Sequence, residues 1–157
     1  MRAYADTNLL TGLYLRIGQH LVAEELVALG KAAGMEAMPV TELLRVELGN
    51  AFQFHVFLSR TTGQWRVSPE TAGAAFAQFE EDLVRAEFLE TVELSWPDLR
   101  RAAVDLSLRH TARHGFRTYD LLHVASALLL GCDTFWSFDG KARRLTELEG
   151  LSLNPMP

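Results

Sequence analysis

The feature that most constrains this chain is an alternation of two kinds of segment. Short apolar runs with strand character fall at 3–5 ("AYA"), 36–40 ("EAMPV"), 88–94 ("FLETVEL"), 133–138 ("DTFWSF") and 151–153 ("LSL"). Between them lie longer stretches whose apolar residues recur every three or four positions, as amphipathic helices require. "HLVAEELVALGKAAG" places Leu21, Val22, Leu26 and Leu29 on one side and stops at Gly34. "TELLRVELGNAFQFHVFL" is a long amphipathic helix over 41–58, with Thr41 as its N-cap. "SPETAGAAFAQFEEDLVRAE" opens with Ser68 as cap, Pro69 at the first helical position and an acidic first turn. Two further helical segments end at Gly115 and Gly131. Strand, helix and strand again is the grammar of a parallel sheet covered on both faces. The expected fold is therefore α/β: a three-layer α/β/α sandwich with a central parallel sheet, formed by 1–157 as a single domain.

A chain of 157 residues buries a core without staples, and its single cysteine, Cys132, permits no internal disulfide. No apolar run is long enough to cross a bilayer, and no secretory signal is visible, so a cytoplasmic protein with no membrane partner is expected. The net charge of −5 argues against a uniformly basic coat. The charges are nevertheless segregated: Arg109, Arg113 and Arg117 follow at spacings of four in a basic stretch, whereas acids gather in "FEEDLVRAEFLE". The plain reading of both stretches is a pair of solvated helix faces.

In such a sheet, ligands bind beyond the carboxyl ends of the strands. Asp6 ends the first strand there, and Asp139 ends the aromatic strand "FWSFDG" in the same way, beside Ser137. Glu47 shares a face with Leu43, Leu44, Ala51 and Phe54, an apolar stripe expected to face the core. Glu42, on the same helix, is explained by first-turn electrostatics. Asp120 lies in the first turn of an almost wholly apolar helix over 119–131, where it also has a capping reading. His123, one turn on, reads as a satisfied, half-buried histidine. Asp133 reads as the turn into the following strand. Two strand ends and two helices that follow strands can meet at one sheet edge. Four carboxylates gathered there repel unless protonated or neutralised by a cation, and oxygen donors suit Mg²⁺ or Mn²⁺ rather than zinc.

The segments "ADTNLL", "VELGNAF", "RTYDLLHVASAL" and "FWSFDGKARRL", in that order and spacing, resemble the PIN domain family, and most closely its VapC-type toxins of prokaryotic toxin–antitoxin pairs. The resemblance implies that Asp6, Glu47, Asp120 and Asp139 are the acidic positions that coordinate Mg²⁺ or Mn²⁺ and activate water for hydrolysis of RNA phosphodiesters. Thr7, Asn8, Ser137 and Asn50 would support them, and Glu42 is the other reading of the second acid. Arg109, Arg113 and Arg117 would hold RNA phosphates, and Trp65 is the best placed of the tryptophans to stack on a base. The implied partners are RNA, a VapB-like antitoxin and a second copy in a homodimer, with "FQFHVFL" offering exposed apolar residues for an interface. A degenerate PIN-like module that binds RNA or protein without catalysis is the alternative. A phosphotransferase working through an aspartyl intermediate would need a second aspartate where Asn8 stands.

Overall fold

The computed structural model describes residues 1–154. In chain order the elements are β1 (Ala3–Ala5), α1 (Thr7–Leu15), α2 (His20–Ala32), β2 (Met38–Val40), α3 (Glu42–Thr62), α4 (Pro69–Arg85), β3 (Leu89–Thr91), α5 (Trp96–His114), α6 (Thr118–Leu129), β4 (Thr134–Trp136), α7 (Gly140–Leu148) and β5 (Ser152–Leu153). Each strand expected from the sequence forms, four of them trimmed at one or both ends. All ladders are parallel: β1 pairs with β4, β4 with β5, and β2 with β3. β2 lies against β1 without forming a ladder, and the Glu36 N–H donates to the Met1 carbonyl at 3.1 Å. The strands thus lie in the order β3-β2-β1-β4-β5, sheathed by helices as a three-layer sandwich.

From β1 the chain moves to β2 and β3 on one side, then returns to β4 and β5 on the other. The reversal falls between β1 and β4, where an open parallel sheet leaves a crevice at its carboxyl edge. Asp6 follows the last residue of β1, and Ser137 follows the last residue of β4. The register Ala5↔Trp136 sets these two exits side by side.

Helix starts follow the expected chemistry. Thr41 accepts from the Leu44 N–H at 3.2 Å, and Ser68 from the Thr71 N–H at 3.1 Å. Two expected helix faces are displaced. On α2 the buried residues are Ala23, Leu26, Val27 and Gly30, while Leu21 and Leu29 are exposed. Close packing explains the shift. A Cβ on Gly30 would stand 2.9 Å from the Met35 sulfur and 3.1 Å from the Trp136 ring, so small residues set the contact face. On α3 the buried stripe is Leu44, Leu48, Phe52 and Val56, at spacings of four, and Phe54 is 53% exposed. Glu47 flanks that stripe rather than sitting within it. Helix α3 also runs to Thr62, past the expected end at 58, and the loop before α4 spans 63–68.

Candidate functional site

Three aspartates at helix starts share one design. Asp6 is the N-cap of α1: its Oδ1 accepts from the Leu9 N–H at 3.1 Å. Asp139 is the N-cap of α7, its Oδ1 accepting from the N–H groups of Lys141 at 2.7 Å and Ala142 at 3.2 Å. Asp120, in the first turn of α6, reaches back with Oδ2 to the Arg117 N–H at 2.9 Å. The capping reading of each acid is therefore correct, yet capping consumes only part of its capacity. Oδ2 of Asp139 and Oδ1 of Asp120 have no hydrogen-bond partner among the described residues. A carboxylate oxygen that caps a helix also keeps lone pairs free.

Ser137 ties two of these acids together. Its hydroxyl donates to Asp6 Oδ2 at 2.5 Å and accepts from the Asp139 N–H at 2.9 Å. Asn8 fastens the same corner by accepting from the Phe138 N–H at 3.0 Å. The start of α1 and the exit of β4 are thus locked to each other by side chains.

The fourth acid reaches the same place from α3. Glu47 Oε2 accepts from the Thr7 hydroxyl at 2.5 Å and from His123 Nε2 in a short hydrogen bond. His123 Nδ1 meets the Tyr4 hydroxyl at 2.9 Å. Tyr4 is wholly buried, and burial pushes its phenol well above the ordinary range, so it stays a neutral O–H. Together these residues form a chain across the cavity floor, from β1 through α6 to α3. His123 is 4% exposed, deeper than the half-buried position expected, and both ring nitrogens are engaged.

Asp6, Glu47, Asp120 and Asp139 line one cavity of about 580 Å³, together with Thr7, Asn8 and His123. Burial raises the Asp6 carboxyl to about 6, with the nearby Asp139 charge adding to the rise and the Ser137 bond opposing it. Asp120 is raised by burial and by Asp139. Burial also acts to raise Glu47, but the His123 bond and charge and the Thr7 hydroxyl outweigh it and hold the carboxyl below its ordinary value. His123 acts in the same lowering sense on Asp6 and Asp120.

Among the described residues, no group of three or more His, Cys, Asp or Glu side chains stands close enough together to hold a metal ion. The donor set still fits a hard divalent cation. Its groups are carboxylates, the Asp139 charge acts to raise both Asp6 and Asp120, and Asp120 and Asp139 each keep an oxygen without a hydrogen-bond partner among the described residues.

Several expected site residues stand elsewhere. Asn50 is exposed and does not line the cavity, because it lies three residues on from Glu47 and on the solvent side of it. Glu42 is 71% exposed and pairs with Arg45. Arg109 is held by Asp105 and by Glu149, the latter in a bidentate pair at 2.6 and 3.0 Å. Arg113 is exposed on α5, outside the cavity lining. Helix α5 ends at His114, so Arg117 does not continue its row; it is the N-cap of α6 and lines the cavity rim. Asp133 accepts from the Arg2 N–H at 3.1 Å at the start of β4, the opposite end of that strand from the cavity. Trp136 is buried in the core, and Trp65 lines the cavity. The residues the sequence reading undervalued are His123 and Tyr4. The three-residue spacing from Asp120 to His123, on one face of a buried helix, was the available signal.

The crevice at the switch point of the parallel sheet is therefore an acidic site, lined by carboxylates from the β1 exit, α3, α6 and the β4 exit, at the place where open α/β sheets bind ligands. The chain belongs to the PIN domain family, whose model matches residues 3–148. PIN domains are generally metal-dependent nucleases. No curated protein matches the chain. Among the described residues no helix is long and apolar enough to cross a membrane.

Proposed function

We propose that this PIN domain is an Mg²⁺- or Mn²⁺-dependent endoribonuclease, the toxin component of a VapC-type toxin–antitoxin pair. The observation that supports it best is the convergence of Asp6, Glu47, Asp120 and Asp139 on one cavity at the sheet's switch point. These four side chains would hold the cation. When bound, the cation supplies a water activated for attack on phosphorus and neutralises charge on the phosphate.

The residues around that site have separable tasks. His123 and Thr7 keep the Glu47 carboxyl ionised and fixed in direction. Ser137 holds Asp6 and the Asp139 backbone in one arrangement. Arg117 at the rim offers a cation to a phosphate of the strand, a contact that positions RNA without reading its sequence. The toxin assignment rests on the four motifs and their order. An antitoxin and a second copy are the proposed protein partners in the cytoplasm. The exposed, stacked Phe54 and Phe57 rings, 6.0 Å apart on α3, supply apolar surface for such contacts.

The test pairs the unaltered chain with Asp6→Asn. Growth and total RNA integrity are followed on expression, and RNA cleavage by purified protein is assayed with Mg²⁺, Mn²⁺ or chelator. The expected result is metal-dependent cleavage abolished by chelation and by Asp6→Asn. A protein that cleaves no RNA with any metal overturns the ribonuclease reading. Cleavage that survives both treatments overturns the metal mechanism.

A further inference from the structure

The cavity extends well beyond its carboxylates. Along α3, Glu47, Ala51 and His55 follow at spacings of four and line the same wall. Eight residues of helix carry that wall about 12 Å away from Glu47. Across from it, α1 contributes Thr7 and Thr11, again one turn apart. Trp65, from the loop between α3 and α4, closes this far part of the cavity.

Trp65 is held there at a conformational cost. It has φ of 66°, and Arg66, next to it, has φ of 46°. Two successive bulky residues in the left-handed region, where Gly or Asn is the ordinary occupant, are backbone outliers that the surroundings must enforce. The outcome is an indole that is 46% exposed and faces a cavity instead of packing in the core. His55, which lines the same cavity, is a planar ring whose partial burial lowers its pKa, and its buried Nδ1 has no partner among the described residues. Ala51, Gly12 and Gly18 add little bulk to this lining, and Ile17 and Gln19 complete it with an apolar and an uncharged polar side chain. A cavity with an exposed indole, an imidazole and an uncharged lining takes a flat, uncharged heteroaromatic group.

We infer that Trp65 and His55 form a base-binding subsite that stacks one unpaired nucleobase flanking the scissile phosphate, and so selects where the strand is cut. This rests on the nuclease reading of the carboxylate end, which supplies the phosphate. A base within a duplex has both faces covered, whereas an unpaired base offers its face to an aromatic side chain. Stacking of one base on an aromatic residue is worth about 1–3 kcal/mol by alanine substitution.

The subsite is testable apart from cleavage. Short unpaired oligoribonucleotides are titrated, in Mg²⁺, into the full chain carrying Asp6→Asn, and tryptophan fluorescence and affinity are read. The expected result is quenching that blunt duplex does not produce. Trp65→Ala should remove the quenching and weaken binding roughly tenfold or more. Trp65→Phe should lose the signal yet keep affinity within a few-fold, because a phenyl face still stacks. His55→Ala should weaken binding of some bases more than others. In the otherwise unaltered chain, Trp65→Ala should change which sites in a mixed RNA are cut, whereas a merely structural loop residue would lower cleavage at all sites alike. Trp65 is an exposed loop residue, and circular dichroism verifies that each variant folds. Affinity unchanged by Trp65→Ala, or binding of duplex equal to that of single strands, overturns the subsite. Binding through Trp65 by a chain that cleaves nothing leaves the subsite standing and overturns the nuclease reading instead.

Discussion

Glu47 on α3 and His123 on α6 are joined by a short hydrogen bond between Oε2 and Nε2, across elements 76 residues apart in sequence. The bond does two jobs. It sets the direction of a carboxylate that the helix alone would leave free to rotate, and it opposes the burial that acts to raise that carboxylate's pKa. Behind it the Tyr4 hydroxyl fixes the imidazole from the other side. Replacing His123 by Ala should therefore act through Glu47. The expected effect is a loss of 10- to 100-fold in metal affinity or kcat, the usual cost of removing a partner that orients a ligand. The acid limb of the pH–rate profile should move to higher pH, since Glu47 loses the interaction that lowers it. Stability should fall by about 1–3 kcal/mol, because the Tyr4 hydroxyl is left buried without this partner. An unchanged pH profile together with unchanged metal affinity would remove His123 from the site.

This pair also marks the limit of what the sequence made legible. The parallel sheet, the helix caps at Thr41 and Ser68, and the strand-end acids Asp6 and Asp139 follow from local rules of alternation, capping and breaking residues. Those rules act within a few residues, and the sequence displays them. The helix faces did not follow. Leu21 and Leu29 look like core by apolarity, but Gly30 lets α2 approach Met35 and Trp136 so closely that the face is chosen by size. Glu47 was singled out for lying on an apolar stripe, and it in fact flanks the buried one. Its place in the cavity is set by Thr7 and His123, which no local pattern connects to it. Arg109 shows the same limit: its helical spacing suggested a phosphate contact, and nothing local reveals its pairing with Glu149, forty residues on.

Asp6 should cost the metal-free protein stability. Its carboxyl is buried and raised from the ordinary 3.8 to about 6. Between those values the folded chain holds a proton that the unfolded chain has released, so stability falls as pH rises through that window. Above it the full penalty remains, about 3 kcal/mol for a shift of about two units. Asp6→Asn keeps an oxygen to cap Leu9 and removes the charge. In chelator, the variant should melt several degrees above the unaltered chain at pH 7–8. That gain should shrink as pH falls towards 4. Added Mg²⁺ should stabilise the unaltered chain and not the variant. A variant less stable than its parent at pH 8 in chelator would contradict the cost of burying the Asp6 charge, which a bound cation would offset.

The two glutamates of α3 should separate cleanly. Glu42 is 71% exposed and touches only Arg45, whereas Glu47 lines the cavity between Thr7 and His123. Glu42→Gln should leave RNA cleavage within about two-fold and stability within about 0.5 kcal/mol, as for other exposed substitutions. Glu47→Gln should abolish measurable cleavage, because an amide binds a hard cation poorly and presents its NH₂ where Oε2 accepted two hydrogen bonds. Retained activity in Glu47→Gln with loss in Glu42→Gln would reverse the assignment.

Salt dependence should distinguish the three arginines. Each phosphate that a cationic side chain neutralises contributes about 0.7 to the slope of log K against log salt for a single strand. Arg117 lines the cavity rim and should make one such contact, so Arg117→Ala should weaken RNA binding uniformly across sequences and reduce the slope by close to that amount. Arg109 already faces Asp105 and Glu149, and its guanidinium is held above its ordinary pKa by the Glu149 hydrogen bonds. Arg109→Ala should leave the slope unchanged, and so should Arg113→Ala, whose side chain lies outside the cavity lining. The measurement is the affinity of a short single-stranded RNA over a range of KCl concentrations for the three variants. A slope that falls with Arg109→Ala and not with Arg117→Ala would place the strand along α5 and away from the mouth of the carboxylate cavity.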